Sequence, residues 1–269
     1  MKKSWRDWFR FPKDKIELPP AEESPLWEVR DRVRKALDER KAAFRNWASP
    51  RRRHGPFTEV LRDVVPDIEK YVDPRDLEEV APEDEGDVYF FDGVIQSLAH
   101  VTLPDGYRLA ARLESSWGDS CAVFYAEDNG RLLPLESELR LDGTPDAYWE
   151  AAVLWFEVAQ FYRFGHANYE HMEMVKDLRS FLQDYSFSRH YSGEAIFKSL
   201  SDGERMKLFQ MKFRPEVIPS ADGCEVRFTI FGPFRGFSRV RLAITKTDAG
   251  ISIEVVSLEQ VHYRCPVMF

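Results

Sequence analysis

The stretch from Ala147 to Phe164, AYWEAAVLWFEVAQFYRF, restricts the fold more than any other part of the chain. After Glu150 its only polar side chains, the tyrosine hydroxyl apart, are Glu157, Gln160 and Arg163. A helix that is apolar nearly all round has no side to give to water, so other elements must cover it from several directions. The sequence predicts a buried helix over Asp146–Phe164, lying between or against sheets.

Two runs of strands supply that cover. VYFF, VIQSLAHVTL, YRLAARLES, SCAVFYAE and RLLPLE are separated by DG, PDG, WGD and DNG. That pattern reads as successive hairpins, with Asn129-Gly130 the strongest turn signal. Near the end, CEVRFTIF, FSRVRLAITK and ISIEVVSLEQVHY are joined by GPFRG and TDAG. The turns in EDNGRLLPLE and KTDAGISIEV look alike, as any D-x-G turn between strands does, and no internal repeat follows.

Helices are predicted elsewhere. Ser24-Pro25 is a cap and first-turn pair, and Leu26, Val29, Val33, Leu37, Phe44 and Trp47 keep near-helical spacing after it. FTEVLRDVV and DPRDLEEV read as short helices, and SDGE at Ser201 is a capping box with Glu204. The order of helices, antiparallel strands, helices and antiparallel strands makes an α+β fold rather than a βαβ array. The expected organisation is an arm over 1–25, a helical segment over 26–85 and a body over 86–269. Within the body, a meander over 87–136 and another over 222–264 are joined by helices over 145–212, a helical hairpin among them.

Hydrophobic residues at 43% and aromatics at 14% are enough for a sizeable core. No apolar run approaches the roughly 18–20 residues of a membrane span, and the N-terminus has no apolar signal region. Cys121, Cys224 and Cys265 are odd in number and scattered, which points to a reducing, cytoplasmic setting. Charge is uneven along the chain. Residues 1–54 carry 16 basic against 9 acidic side chains, residues 55–150 carry 7 against 23, and residues 151–269 carry 15 against 14. A basic end beside an acidic middle gives two differently charged surfaces, attracted to each other or to partners.

The stretch RFGHANYEHMEM has the composition of a zinc helix but not its spacing. Paired-histidine zinc helices place their histidines four apart, and His166 and His171 are five apart, a turn of roughly 140°. His166, Glu170 and Glu173 do share a helical face and are the residues a carboxylate-rich metal site would use. The apolar side of the pattern switches near Gly165, so the simpler reading ends one helix there and starts another at Asn168. Glu170 and Glu173 then lie on its wet face, with no metal and no cofactor. No phosphate-binding loop, dinucleotide turn, nucleophile elbow or CxxC pair occurs. An enzyme therefore remains only as a site assembled in the fold, and no catalytic residue is assigned.

Surfaces suited to a partner are more evident. Trp5, Trp8 and Phe9 would share a helical stripe, with Phe11 beside it, in a basic arm tethered by LPPAEESP. Membrane anchoring by so short a segment is weak. Arg51, Arg52 and Arg53 form a basic loop fit for any polyanion. In the last hairpin, period two sends Val226, Phe228, Ile230, Val240, Leu242 and Ile244 to one face and Arg227, Phe237, Arg239 and Arg241 to the other. Arginines among exposed rings suit a single-stranded nucleic acid. The competing expectation is a face covered by helices, with Arg239 or Arg241 paired to Glu254. The function expected from these features is a non-catalytic adaptor or inhibitor that binds another protein, with nucleic-acid binding as the alternative.

Overall fold

The first turn of helix α1 (Leu26–Ala48) closes through the Trp27 N–H on the Ser24 carbonyl, at 3.1 Å, where Ser24-Pro25 predicts a helix start. Trp27, Val29, Val33, Leu37, Phe44 and Ala48 are its buried residues. The computed structural model describes residues 24–49, 88–116, 119–164, 171–188, 191–233, 235–248 and 250–261. The arm with Trp5, Trp8, Phe9 and Phe11, the loop Arg51–Arg53, the two short helices expected before residue 85, and His166 and Glu170 lie outside the described residues.

After α1 come strand β1 (Tyr89–Phe90), helix α2 (Asp92–Gln96), and strands β2 (Val101–Thr102), β3 (Arg108–Ser116), β4 (Asp119–Asp128) and β5 (Arg131–Pro134). A one-turn helix α3 (Leu135–Glu138) and strand β6 (Arg140–Leu141) lead into helix α4 (Pro145–Gln160), followed by strand β7 (Arg163–Phe164). The first sheet runs β1-β3-β4-β5, all antiparallel, with β7 also pairing β4. Asn129 (φ 49°) and Gly130 (φ 87°) both adopt positive φ, the geometry of the hairpin turn their sequence predicts.

One expected strand is absent from this sheet. The 94–103 stretch instead starts with α2 and ends in β2, which pairs β6 in a separate two-stranded ladder. The cause is Glu150, a buried carboxylate on α4. It accepts the Ala99 N–H at 2.9 and 3.0 Å and the His100 N–H at 2.7 Å, groups a strand would have given to its neighbours. Arg32 of α1 lies 3.6 Å from the same carboxylate, so a buried charge is both paired and hydrogen-bonded.

The second half contains strand β8 (Glu173–Met174), helix α5 (Leu178–Asp184), strands β9 (Ser186–Ser188) and β10 (Tyr191–Ser192), and helices α6 (Gly193–Ser199) and α7 (Asp202–Gln210). The chain ends in strands β11 (Glu216–Pro219), β12 (Gly223–Gly232), β13 (Gly236–Thr247) and β14 (Gly250–Val261). The second sheet runs β11-β12-β13-β14, with β8 also pairing β12. Ser201 and Glu204 form the expected capping box on α7. The helix expected from Asn168 is corrected: Glu173 and Met174 are strand, paired with Phe231 and Ile230, and α5 starts at the Asp177 cap. The polar side chain of Gln160 takes the Met172 N–H at 2.9 Å, which draws this segment back onto α4 as strand.

The two meanders are therefore two sheets, and α4 lies between them. The sequence expectation runs the helix to Phe164, but it stops at Gln160, and Arg163–Phe164 leave it to pair with β4. Trp149 meets Trp27 edge-on at 5.7 Å and Phe228 at 6.0 Å, and its indole N–H donates to the Leu26 carbonyl. Phe161 packs on Phe91, the cap of α2, and on Phe124 of the first sheet at 5.0 and 5.8 Å. Leu109, Ala111, Ala122, Val226, Phe228 and Leu242 join the same core from the two sheets. A second core forms where α5, α6 and α7 cover one end of the other face of the second sheet, around Phe181, Phe231 and Phe237. No described helix is long and apolar enough to cross a membrane.

Candidate functional site

The alternation read from the last hairpin holds in its register. Val226 faces Leu242 and Phe228 faces Val240 on the α4 side, while Arg227 faces Arg241, Thr229 faces Arg239 and Phe231 faces Phe237 on the other. The exposed rings expected on that second face are corrected. Phe237 is 1% exposed, with its ring 4.7 Å from Phe181 and 4.8 Å from Phe231. Period two separates the faces of a strand but does not report what covers them, and here α5–α7 cover the ring end.

The arginines of this face are held by the protein itself. Arg239 is buried and donates to the carbonyls of Lys212 and Arg214, each at 2.9 Å, and to Glu216 at 3.1 Å. It thereby fixes the loop between α7 and β11. Arg227 and Arg241 stand directly opposite each other, a repulsive arrangement that Glu225 relieves by accepting from both. The hydrogen bond from Arg241 holds the Glu225 carboxyl below its usual range. The partner of Arg239 is thus Glu216 and that of Arg241 is Glu225, not Glu254. A groove of about 480 Å³ remains over these residues, with Lys207, Lys212 and Glu259 on its rim. Glu216 in its lining and Glu225 beside it already pair with its arginines.

Of the metal alternative, only Glu173 lies in the described residues. It meets Arg34 at 3.5 Å and His171 at 3.9 Å. Burial lowers the His171 pKa, and Arg163, Arg34 and Lys41 act the same way against the pull of Glu173. Nearby, Glu157 of α4 is buried with its carboxylate 3.1 Å from the Arg30 Nε. This is a charge network tying α1 to α4 and β8. Among the described residues no group of three or more His, Cys, Asp or Glu side chains is placed to hold a metal ion. Burial pushes the Cys224 thiol up, the opposite of what a nucleophile needs.

The feature that stands out on the described surface is the edge of β14. One side of this strand pairs with β13; no described strand pairs with the other. Its ends are covered. An atom added to the Gly250 α-carbon would lie 2.2 Å from the Ser137 carbonyl oxygen of α3, and Val261 is buried in the second core. Between them Val255, Val256 and Leu258 are 46%, 48% and 49% exposed. The register puts Val255 beside Leu242 and Leu258 beside Val240, so both lie on the core face, at the margin where α4 no longer covers it. Val256 is the extra residue of a bulge, since Arg241 pairs with Ser257 while Leu242 pairs with Val255. The sequence carries this signal as adjacent valines that break the alternation of ISIEVVSLEQV, a break the period-two reading passes over.

No family model matches the chain, and no curated protein or solved structure is detectably similar to it.

Proposed function

We propose that the chain is a non-catalytic binding protein for another protein, working in a reducing, cytoplasmic setting, and that it takes its partner as an added strand on the outer edge of β14. The observation that supports this reading is the open span Glu254–Gln260, with exposed Val255, Val256 and Leu258 on an edge no described strand occupies. An exposed sheet edge offers a row of unpaired backbone donors and acceptors, and its side chains select the segment that pairs with them. The basic arm with Trp5, Trp8, Phe9 and Phe11 belongs to the same reading as a second contact.

Lysine at both Val255 and Leu258 tests it. These side chains are half exposed, so Val255→Lys with Leu258→Lys should cost under about 1 kcal/mol of stability. The expected result is a folded variant that no longer retains a protein captured stoichiometrically by the unaltered chain after nuclease treatment. A partner that survives both lysines sinks the assignment of the edge. A partner that disappears with nuclease moves the case to nucleic acid and to Arg51–Arg53.

A further inference from the structure

We propose that the segment accepted by β14 is a basic extended peptide of another protein, with cationic side chains flanking an apolar pair, and that a second copy of this chain is disfavoured there. This rests on the reading of β14 as an open edge. Glu254 and Glu259 bracket the exposed aliphatic residues; both are exposed, neither is in a hydrogen bond or salt bridge among the described residues, and Glu259 acts electrostatically on Arg241. Glu254 lies beside Ala243 and Glu259 beside Arg239, so both carboxylates project on the face opposite Val255 and Leu258. β14 itself has no Lys or Arg.

The same spacing argues against self-pairing. In an antiparallel pair of two β14 strands, the register that lays Val255 on Leu258 also sets Glu254 opposite Glu259, and two-fold symmetry repeats that clash. A strand with lysine or arginine at those two places turns both repulsions into attractions, while its inner residues cover Val255 and Leu258. Acidic residues along an edge are also a common protection against aggregation, and the experiment separates protection from recognition.

The probes are two peptides, TKVTVKT and TEVTVET, whose charged residues four apart match the bulged spacing of Glu254 and Glu259, titrated separately into the full-length chain while the amide signals of β14 are followed by NMR. The lysine peptide should shift the signals of Glu254–Gln260 and bind about tenfold more tightly than the glutamate peptide, the sum of two exposed ion pairs gained against two repulsions. Its advantage should shrink with added salt. Glu254→Lys with Glu259→Lys should reverse the preference. Equal binding of both peptides at β14 overturns the charge rule and leaves the open edge standing. Failure of both peptides to shift β14 overturns both statements and leaves the carboxylates as protection only. A dimer in sedimentation with β14 at its interface, or peptide binding that appears only after residues 1–20 are deleted, also overturns the proposal. The first makes a second copy the occupant, and the second makes it the chain's own arm.

Discussion

Trp149→Ala should destabilise the chain by about 3–5 kcal/mol, the usual cost of removing a fully buried large aromatic side chain. Trp149 is fully buried at the point where α1, α4 and the second sheet meet. Without the indole, the Leu26 carbonyl loses its donor and the edges of Trp27 and Phe228 face a cavity. Urea unfolding of the variant and the unaltered chain measures the difference. Because α4 serves as common core for both sheets, the variant should still unfold in one step. A loss below about 1 kcal/mol, or separate transitions for the two sheets, would show that α4 is not a shared core.

Arg30→Ala should cost about 3 kcal/mol, because it leaves Glu157 buried with its nearest donor removed. Arg34 also acts on Glu157 electrostatically, which keeps the estimate at the lower end of the range for a broken buried pair. The loss should depend on pH in a definite direction. Burial raises the Glu157 pKa above its ordinary value, against the opposing pull of Arg30 and Arg34. A carboxyl with a raised folded-state pKa gains stability on protonation, so the cost of Arg30→Ala should shrink as pH falls towards the ordinary carboxylate range and grow as pH rises through the folded value. Pairing Arg30→Met with Glu157→Leu removes both charges and should recover most of the stability. Denaturant unfolding at several pH values checks each statement. A pH-independent loss, or no recovery in the double variant, would mean that Arg30 acts through packing alone.

Much of the architecture was legible because particular residues leave little choice. The spacing of Val29, Val33, Leu37 and Phe44 among charged residues admits only an amphipathic helix, and α1 follows it closely. Asn129-Gly130 fixes a hairpin because both residues tolerate positive φ. The α4 stretch is too apolar for any place but the interior. What could not be read depends on long-range partners. VIQSL has the composition of a strand, but Glu150, some fifty residues later, takes the Ala99 and His100 amides. The HMEM stretch fits a helix until Gln160 and β12 claim its backbone. Phe237 is on the expected face, yet helices α5–α7, whose own patterning is weak, turn that end of the face into core.

The candidate site was legible in its parts and not in its sense. Arg227, Arg239 and Arg241 do share a face, but Glu225, two residues before Arg227 on the same strand, and Glu216 of β11 take up their charge. The edge of β14 emerges only when the order of strands is known, because a strand inside a sheet and one at its margin look the same in sequence.

Amide hydrogen exchange across Glu254–Gln260 tests that edge most directly. In the free chain, the amides of this span that point away from β13 should exchange rapidly while those bonded to β13 stay protected. With the captured protein bound, the outward amides should slow to match. Uniform protection in the free chain would show the edge already covered, and unchanged exchange in the complex would place the partner elsewhere.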